Sequence, residues 1–321
     1  MGRYLITRLA FALLLVFVVS SSALLLTRLA PGDFATTQGV ELTPEQRERL
    51  RDNLGLNRSL GEQYLSWLGG AVRFDFGNSL LYSRPVSALI GERALNTAVL
   101  ATCALLLATL IGIPLGIYSG TTSGAGRTIV RMISTLGISI PPLIGSLALV
   151  FVAARTGWLP VGGMVSADGT GMTWAQWLAD LARHLPVPAL ALAIPLAATL
   201  ERLQSEAIAE ASHERFVAAS RARGVDRRRS ILHHAWPVSL RPVLGIYGLM
   251  IGSLFSGSFV VEVVTSWPGL GRMMLDALRA RDLYLAAGCA ATGALFLAAG
   301  TLLADLLLAY TDPRVGSGER P

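Results

Sequence analysis

The stretch TAVLATCALLLATLIGIPLGIY, residues 97–118, runs for 22 residues without a charge. As a helix rising about 1.5 Å per residue it is roughly 33 Å long, enough to cross a hydrocarbon core of about 30 Å. A second uncharged run, residues 283–304, has the same length, so the first is not an isolated core helix. Of the 321 residues, 52% are hydrophobic and 15% charged, too apolar for a disordered chain and unusual for a soluble domain. The expectation is an all-α polytopic membrane protein.

Six spans are expected: 9–26, 97–118, 133–154, 185–200, 242–264 and 283–310. Arg3 and Arg8 precede the first, but its 18 uncharged residues exceed a signal-peptide core of about 7–15. It is therefore read as a span. The fourth run has 16 residues and holds Pro186, Pro188 and Pro195, tolerable where neighbouring helices re-satisfy the freed carbonyls. Gly112 with Gly116, and Gly248 with Gly252, have the spacing of close helix packing. Ser139, Ile140, Pro141 and Pro142 break the third run, and a kink there makes Ser139, Pro141 and Pro142 candidates for lining or gating a pathway.

All 27 basic residues are arginines, against 21 carboxylates, for a net charge of +6. The isoelectric point near 9.9 does not imply nucleic acid, because the charges form no single face. With the N-terminus inside, segments 1–8, 119–131, 201–241 and 312–321 carry 14 arginines and 7 carboxylates, net +7. The outer segments carry 13 and 12, net +1, while Glu262 and Asp305 fall within spans. This asymmetry predicts cytoplasmic termini and a cytoplasmic 201–241 loop.

Between the first two spans, Thr43 and Gln46 form a capping box with Pro44 at the first helical position, predicting a helix to about Asn53 with Gly55 as its stop. In 60–72, Tyr64, Trp67 and Leu68 share one face, suited to a membrane interface or to packing on the protein itself. Trp174, Trp177, Leu178 and Leu181 form a similar face before the fourth span.

The 201–241 loop holds 8 of the 27 arginines and three of the four histidines, and a partner is expected to bind there. From Glu210 to Arg223 the pattern is helical, with Phe216, Ala219 and Ala222 on an apolar stripe. Gly224 stops that helix, Asp226 caps a second through Arg227, Arg228 and Arg229, and Pro237 ends the unit. The result is a compact knob in which small Ala218, Ala219 and Ser220 admit close approach.

Ala218, Ala219, Ser220, three residues, Gly224 and then Pro237 resemble the EAA loop of ABC importer permeases, whose pattern is E-A-A, three residues, G, nine residues, I, one residue, L-P. Ala218, His234 and Trp236 depart from it at the glutamate, isoleucine and leucine positions. The run Arg215 to Gly224 resembles the D-Y-V-x-x-A-R-A-K-G stretch of dipeptide, oligopeptide and nickel permeases, and the resemblance spans nearly the whole chain. Arg3, Tyr4, Arg8, Pro31, Gly32 and Asp33 are similar to that family's opening. Leu54, Gly55, Leu56, Gln63, Tyr64, Trp67, Leu68, Asp75, Phe76, Gly77 and Ser79 resemble its outer segment. Ser266 to Gly271 with Arg281 and Asp282 resemble its last outer loop, and Asp312, Pro313 and Arg314 its end.

The resemblance implies a type I importer fold with six transmembrane helices in a bacterial inner membrane. It divides the chain into 1–92, a first helix plus extracytoplasmic segment; 93–311, the permease core; and 312–321, a short cytoplasmic tail. It further implies a homologous second permease, two ATPases below, a solute-binding protein above, and transport of peptides, with nickel complexes or another small solute as the alternative. Phe216, Ala218, Ala219, Ser220, Arg221, Arg223, Gly224, Val225, Asp226 and Pro237 would form the ATPase-coupling loop. Glu262, Trp267, Pro268 and Gly269 join Ser139, Pro141 and Pro142 as pathway or gating candidates.

Rival classes leave weaker marks. A secondary transporter or intramembrane enzyme would use Glu262 and Asp305, costly charges within spans, but both lie near span ends and no internal repeat is visible. The four histidines lack metal spacing within a span, and no nucleophile sits beside a base, so no catalytic residue or metal site is expected. Cys103 and Cys289 both fall in apolar runs, against a disulfide framework. The chain has no lysine and hence no G-x-x-x-x-G-K phosphate loop, so no cofactor is expected and ATP falls to partner subunits.

Overall fold

The computed structural model describes residues 2–30, 32–37, 43–54, 56–73, 75–166 and 171–311. Pro31, the Gly55 stop, the tail 312–321 with Asp312, Pro313 and Arg314, and the side chains of Arg3, Tyr4 and Asp305 lie outside the described residues. Among those described, regular structure is helical throughout apart from one isolated bridge between Asn78 and Pro85.

In chain order the helices are α1 (Gly2–Leu29), α2 (Phe34–Thr37), α3 (Pro44–Asn53), α4 (Leu60–Ala71), α5 (Val86–Thr121), α6 (Ala125–Ser139), α7 (Pro142–Thr156) and α8 (Trp174–His184). They continue as α9 (Pro186–Ser212), α10 (Arg215–Ala222), α11 (Arg227–Ser230), a π-helical turn Ile231–Ala235, α12 (Trp236–Gly245), α13 (Tyr247–Val264), α14 (Leu270–Ala280) and α15 (Leu283–Thr311). Five are long and apolar enough to span a membrane: α1, α5, α9, α13 and α15. The pair α6 and α7, bent by 105°, supplies a sixth span if taken as one.

Several boundaries differ from expectation for identifiable reasons. The third span is two helices instead of one kinked helix, because each of two successive prolines pushes the residue before it to extended backbone. Ile140 (ψ 110°) and Pro141 (ψ 145°) both comply. The fourth span continues to Ser212, carried by the strong helix formers of the EAIAEA run. The fifth begins at Tyr247, since Pro242 belongs to α12, which ends at Gly245. α5, 36 residues and about 54 Å long, outreaches a hydrocarbon core by nearly half its length.

The chain forms two compact units, Met1–Ala98 with Pro268–Ala298, and Val99–Trp267 with Ala299–Pro321. In the first, the predicted Thr43–Gln46 capping box opens α3. Helix α4 packs on α1 through buried Trp67 and Leu24, and Ser21 shares a 2.9 Å hydrogen bond with the Tyr64 hydroxyl. Its aromatic face thus lies on the protein itself. Val86, Leu89 and Ile90 of α5 meet Leu270, Met273 and Leu285 in the unit's largest core.

The second unit is organised around α9. Gly112, Gly116 and a third glycine, Gly120, let α5 run against it: a Cβ at these positions would come 2.5 Å from the Ala197 oxygen, 2.6 Å from Gln204 Cβ and 2.4 Å from Ile208 Cγ2. Helices α6, α7, α12 and α13 also pack on α9. Leu181 anchors the buried end of the α8 stripe, while Trp174 stacks on Trp177 with centroids 5.1 Å apart and stays exposed.

Candidate functional site

The 201–241 segment builds the predicted knob, with two revisions. Glu210 belongs to α9, and the knob's first helix, α10, starts only at Arg215, after a break at His213 and Glu214. Pro237 does not end the unit; it sits in the first turn of α12, directly after the π-helical turn Ile231–Ala235.

Helix α10 has two dissimilar sides. Val217 is buried against Ile208 and Ala211 of α9 and Ala235 of the π-helical turn. Ser220 is buried as well, its hydroxyl 3.2 Å from that of Ser230. Phe216 (41% exposed), Ala218, Ala219, Arg221 and Arg223 face outward, so the apolar stripe predicted from spacing is the open face. It carries one large hydrophobe flanked by small residues and guanidinium groups, a surface suited to a concave protein partner.

The helix ends in a Schellman turn. The Val225 N–H donates to the Ser220 carbonyl (3.3 Å) and the Gly224 N–H to Arg221 (2.9 Å), with Gly224 at φ +86°. A Cβ at 224 would meet nothing within 4 Å, so glycine is favoured there for its backbone conformation. Asp226 caps α11 by accepting from the Arg228 N–H at 2.9 Å. The Arg227 guanidinium donates to the carbonyl of Thr121, the last residue of α5, at 2.9 Å. A cation at a helix C-terminus also favours the macrodipole. The knob is thereby fixed to α5, α9 and α12.

The pathway candidates fall into separate groups. Ser139 ends α6 with its hydroxyl donating to Thr135 (2.8 Å), and Pro141 and Pro142 form the 105° corner. A Cβ at Gly257 of α13 would lie 3.7 Å from Pro142, so that corner sits beside α13. Glu262 and Trp267 are fully buried at the end of α13, where the Trp267 N–H donates to the Glu262 carbonyl at 2.9 Å. Pro268 and Gly269 line a cavity of about 310 Å³ with Tyr82, Arg93, Arg272 and Asp276. Burial, then nearby Asp276, pushes the Tyr82 phenol above its usual range, opposed by Arg93 and Arg272. Asn96 Nδ2 donates to the Pro268 carbonyl (2.8 Å) and the Leu270 N–H to Thr97 (2.8 Å), pinning this loop to α5.

Distant motifs meet at Asp282. The Ser79 hydroxyl (2.6 Å) and the Leu81 N–H (3.0 Å) donate to one carboxylate oxygen, and the Leu285 N–H (3.1 Å) donates to the other.

The family described as binding-protein-dependent transport system inner membrane component matches residues 112–317, and its N-terminal companion matches residues 1–97. The chain belongs to this family. An oligopeptide transport system permease protein of Bacillus subtilis is 31% identical over 319 residues, covering 98% of this chain and 99% of that one. A putative peptide permease protein of Brucella ovis is 32% identical over 321 residues, and a probable peptide ABC transporter permease protein of Sinorhizobium fredii is 30% identical over 324. Both alignments cover 98% of this chain and 99% of the relative. The chain is thus a multi-pass membrane permease of an ABC importer, a system that includes an ATPase and a binding protein.

Sequence reading missed the polar seam of α9. The Ser119 hydroxyl donates to buried Glu201, and Gln204 Nε2 donates to the Ser239 hydroxyl at 2.8 Å. Glu201, Gln204 and Ser205 lie at i, i+3 and i+4, a one-face spacing that was the available signal.

Proposed function

We propose that this chain forms the translocation pathway for peptides together with a homologous second permease, two ATPase subunits docked on the 201–241 knob, and a solute-binding protein on the opposite side. The observation carrying the reading is full-length similarity to proteins named as peptide permeases, joined to a knob whose open face is apolar and whose inner face is fixed to three helices. The chain itself binds no ATP and catalyses no reaction. In support, it has no lysine and so no phosphate loop of the usual kind. Both termini and the knob are cytoplasmic, a reading supported by the arginine asymmetry.

The decisive experiment expresses the chain with its partner subunits in cells lacking other peptide importers and follows a labelled tripeptide. ATP-dependent, binding-protein-dependent uptake is expected; uptake of a nickel complex with no peptide would overturn the substrate. The chain purified alone should show no nucleotide turnover. Topology is tested with Arg58→Cys and Arg228→Cys, both exposed positions. An impermeant maleimide should label only the first in intact cells, and labelling of the second would invert the orientation. Ala219→Arg, on the open face, should abolish ATPase copurification and uptake without lowering membrane insertion.

A further inference from the structure

Where α9 passes from its apolar run into 201–212, a cavity of about 270 Å³ opens between it and α6. From α6 it is lined by Arg131, Ser134 and Thr135, and from α9 by Glu201, Arg202, Ser205 and Glu206. Ser134 (7% exposed), Glu201 (2%) and Ser205 (2%) form its buried part. Among the described residues the Ser205 hydroxyl oxygen is buried with no hydrogen-bond partner. A buried hydroxyl left unpaired is unfavourable, so a ligand that bonds it is rewarded.

The charges are balanced: two guanidinium groups and two carboxylates, one of which, Glu201, is fixed by the Ser119 hydroxyl. Among the described residues Arg131 has no ion-pair partner, and Arg202 makes only a long 3.5 Å contact with Glu206 on the exposed rim. A net-neutral cavity offering both donors and acceptors does not select a simple anion or cation. It complements a molecule that carries both charges. A permeating zwitterion loses water on both ends at once, and only paired opposite charges offset that cost. The rim pair is 71% and 63% exposed, so its hold is weak, as a transit site requires for release.

We infer that this α6–α9 cavity is a transit subsite for short zwitterionic peptides, with Glu201 and Glu206 receiving the ammonium end, Arg131 and Arg202 the carboxylate end, and Ser205 bonding the backbone. The inference rests on the peptide-permease reading above.

The test uses the complete transporter in proteoliposomes, held without nucleotide, carrying Ser205→Cys or, on the facing helix, Ser134→Cys. Alkylation by a permeant maleimide is read at the substituted position by peptide mapping, with trialanine or its N-acetylated, C-amidated form present on both sides. At a concentration about twice its dissociation constant, trialanine should slow alkylation about threefold, and the capped peptide should not. Equal protection by both peptides, or by neither, would overturn the subsite. If one variant does not assemble, the other gives the same reading. Glu201→Gln and Arg131→Gln should each lower trialanine uptake about tenfold, the loss of one charge-assisted contact, and unchanged uptake in both would also refute it. Uptake by the wild-type complex is the separate control: its absence would sink the peptide function itself, whereas uptake without selective protection sinks only the subsite.

Discussion

At the knob, α10 ends with Gly224 at φ +86° and the Val225 N–H donating to Ser220; at the corner between α14 and α15, α14 ends with Arg281 at φ +58° and the Asp282 N–H donating to Ala277 at 2.8 Å. The backbone solution is the same in both places. In each an aspartate soon follows and caps the next helix, Asp226 for α11 and Asp282 for α15. The surroundings are opposite. Gly224 and Asp226 are exposed, while Asp282 is fully buried and holds three donors. Where tertiary bonds over-determine a turn, an ordinary residue tolerates the left-handed region; where the turn stands alone in solvent, local propensity decides and glycine is needed.

The largest effect should come from the buried aspartate. Asp282→Ala removes the acceptor from Ser79, Leu81 and Leu285 together, leaving buried donors at a cost of about 3 kcal/mol or more. A clear drop in the thermal midpoint of the detergent-solubilised chain is expected. An unchanged midpoint would mean that the corner is held by its apolar core alone.

Gly224→Val should act on transport and leave the yield intact. The penalty, about 1–2 kcal/mol, is confined to the turn because no atom lies within 4 Å of where the Cβ would go. Uptake and ATPase copurification should fall, while Gly224→Asn, which tolerates the left-handed conformation, should retain most activity. Equal loss with Val and Asn would show that contact, not backbone conformation, matters at 224.

The contrast also explains what was legible beforehand. Gly224, Asp226 and the Thr43–Gln46 box act through neighbours in sequence, and their spacing alone located the turns and caps they form. The Ser79–Asp282 bond joins residues 203 apart, and no local pattern encodes such a partner. The glycine seam was half visible: Gly112 and Gly116 announced close packing, but the partner helix α9 and the third member Gly120 required the fold. Pro237 misled because a proline stops a preceding helix and starts a following one equally well, and only the residues after it distinguish the two. The α9 seam escaped because Glu201 looks like a loop charge until the helix is seen to continue past it.

Asp226→Ala should be milder than either change above. One side-chain acceptor for the Arg228 N–H is lost at an exposed cap, about 1 kcal/mol, and the bond from Arg227 to Thr121 still ties the knob to α5. Partial uptake with ATPase still bound is the expected outcome. Complete loss would mean that α11 itself, not α10, carries the docking surface.

The smallest effect, and the one of opposite sign, belongs to Arg281. Replacing it by glycine relieves a left-handed residue that costs about 1 kcal/mol or slightly more, but glycine loses roughly 0.5–1 kcal/mol in unfolded-state entropy, so the two nearly cancel. Arg281→Gly should therefore shift the thermal midpoint only slightly, and upward if at all. The same substitution in an Asp282→Ala background should stabilise more, because the turn would then have lost the buried bonds that hold it and would depend on local propensity as the knob does. A gain no larger in the double variant than in the single one would show that the two turns are governed by the same physics after all, and that the buried carboxylate merely adds stability without shaping the backbone.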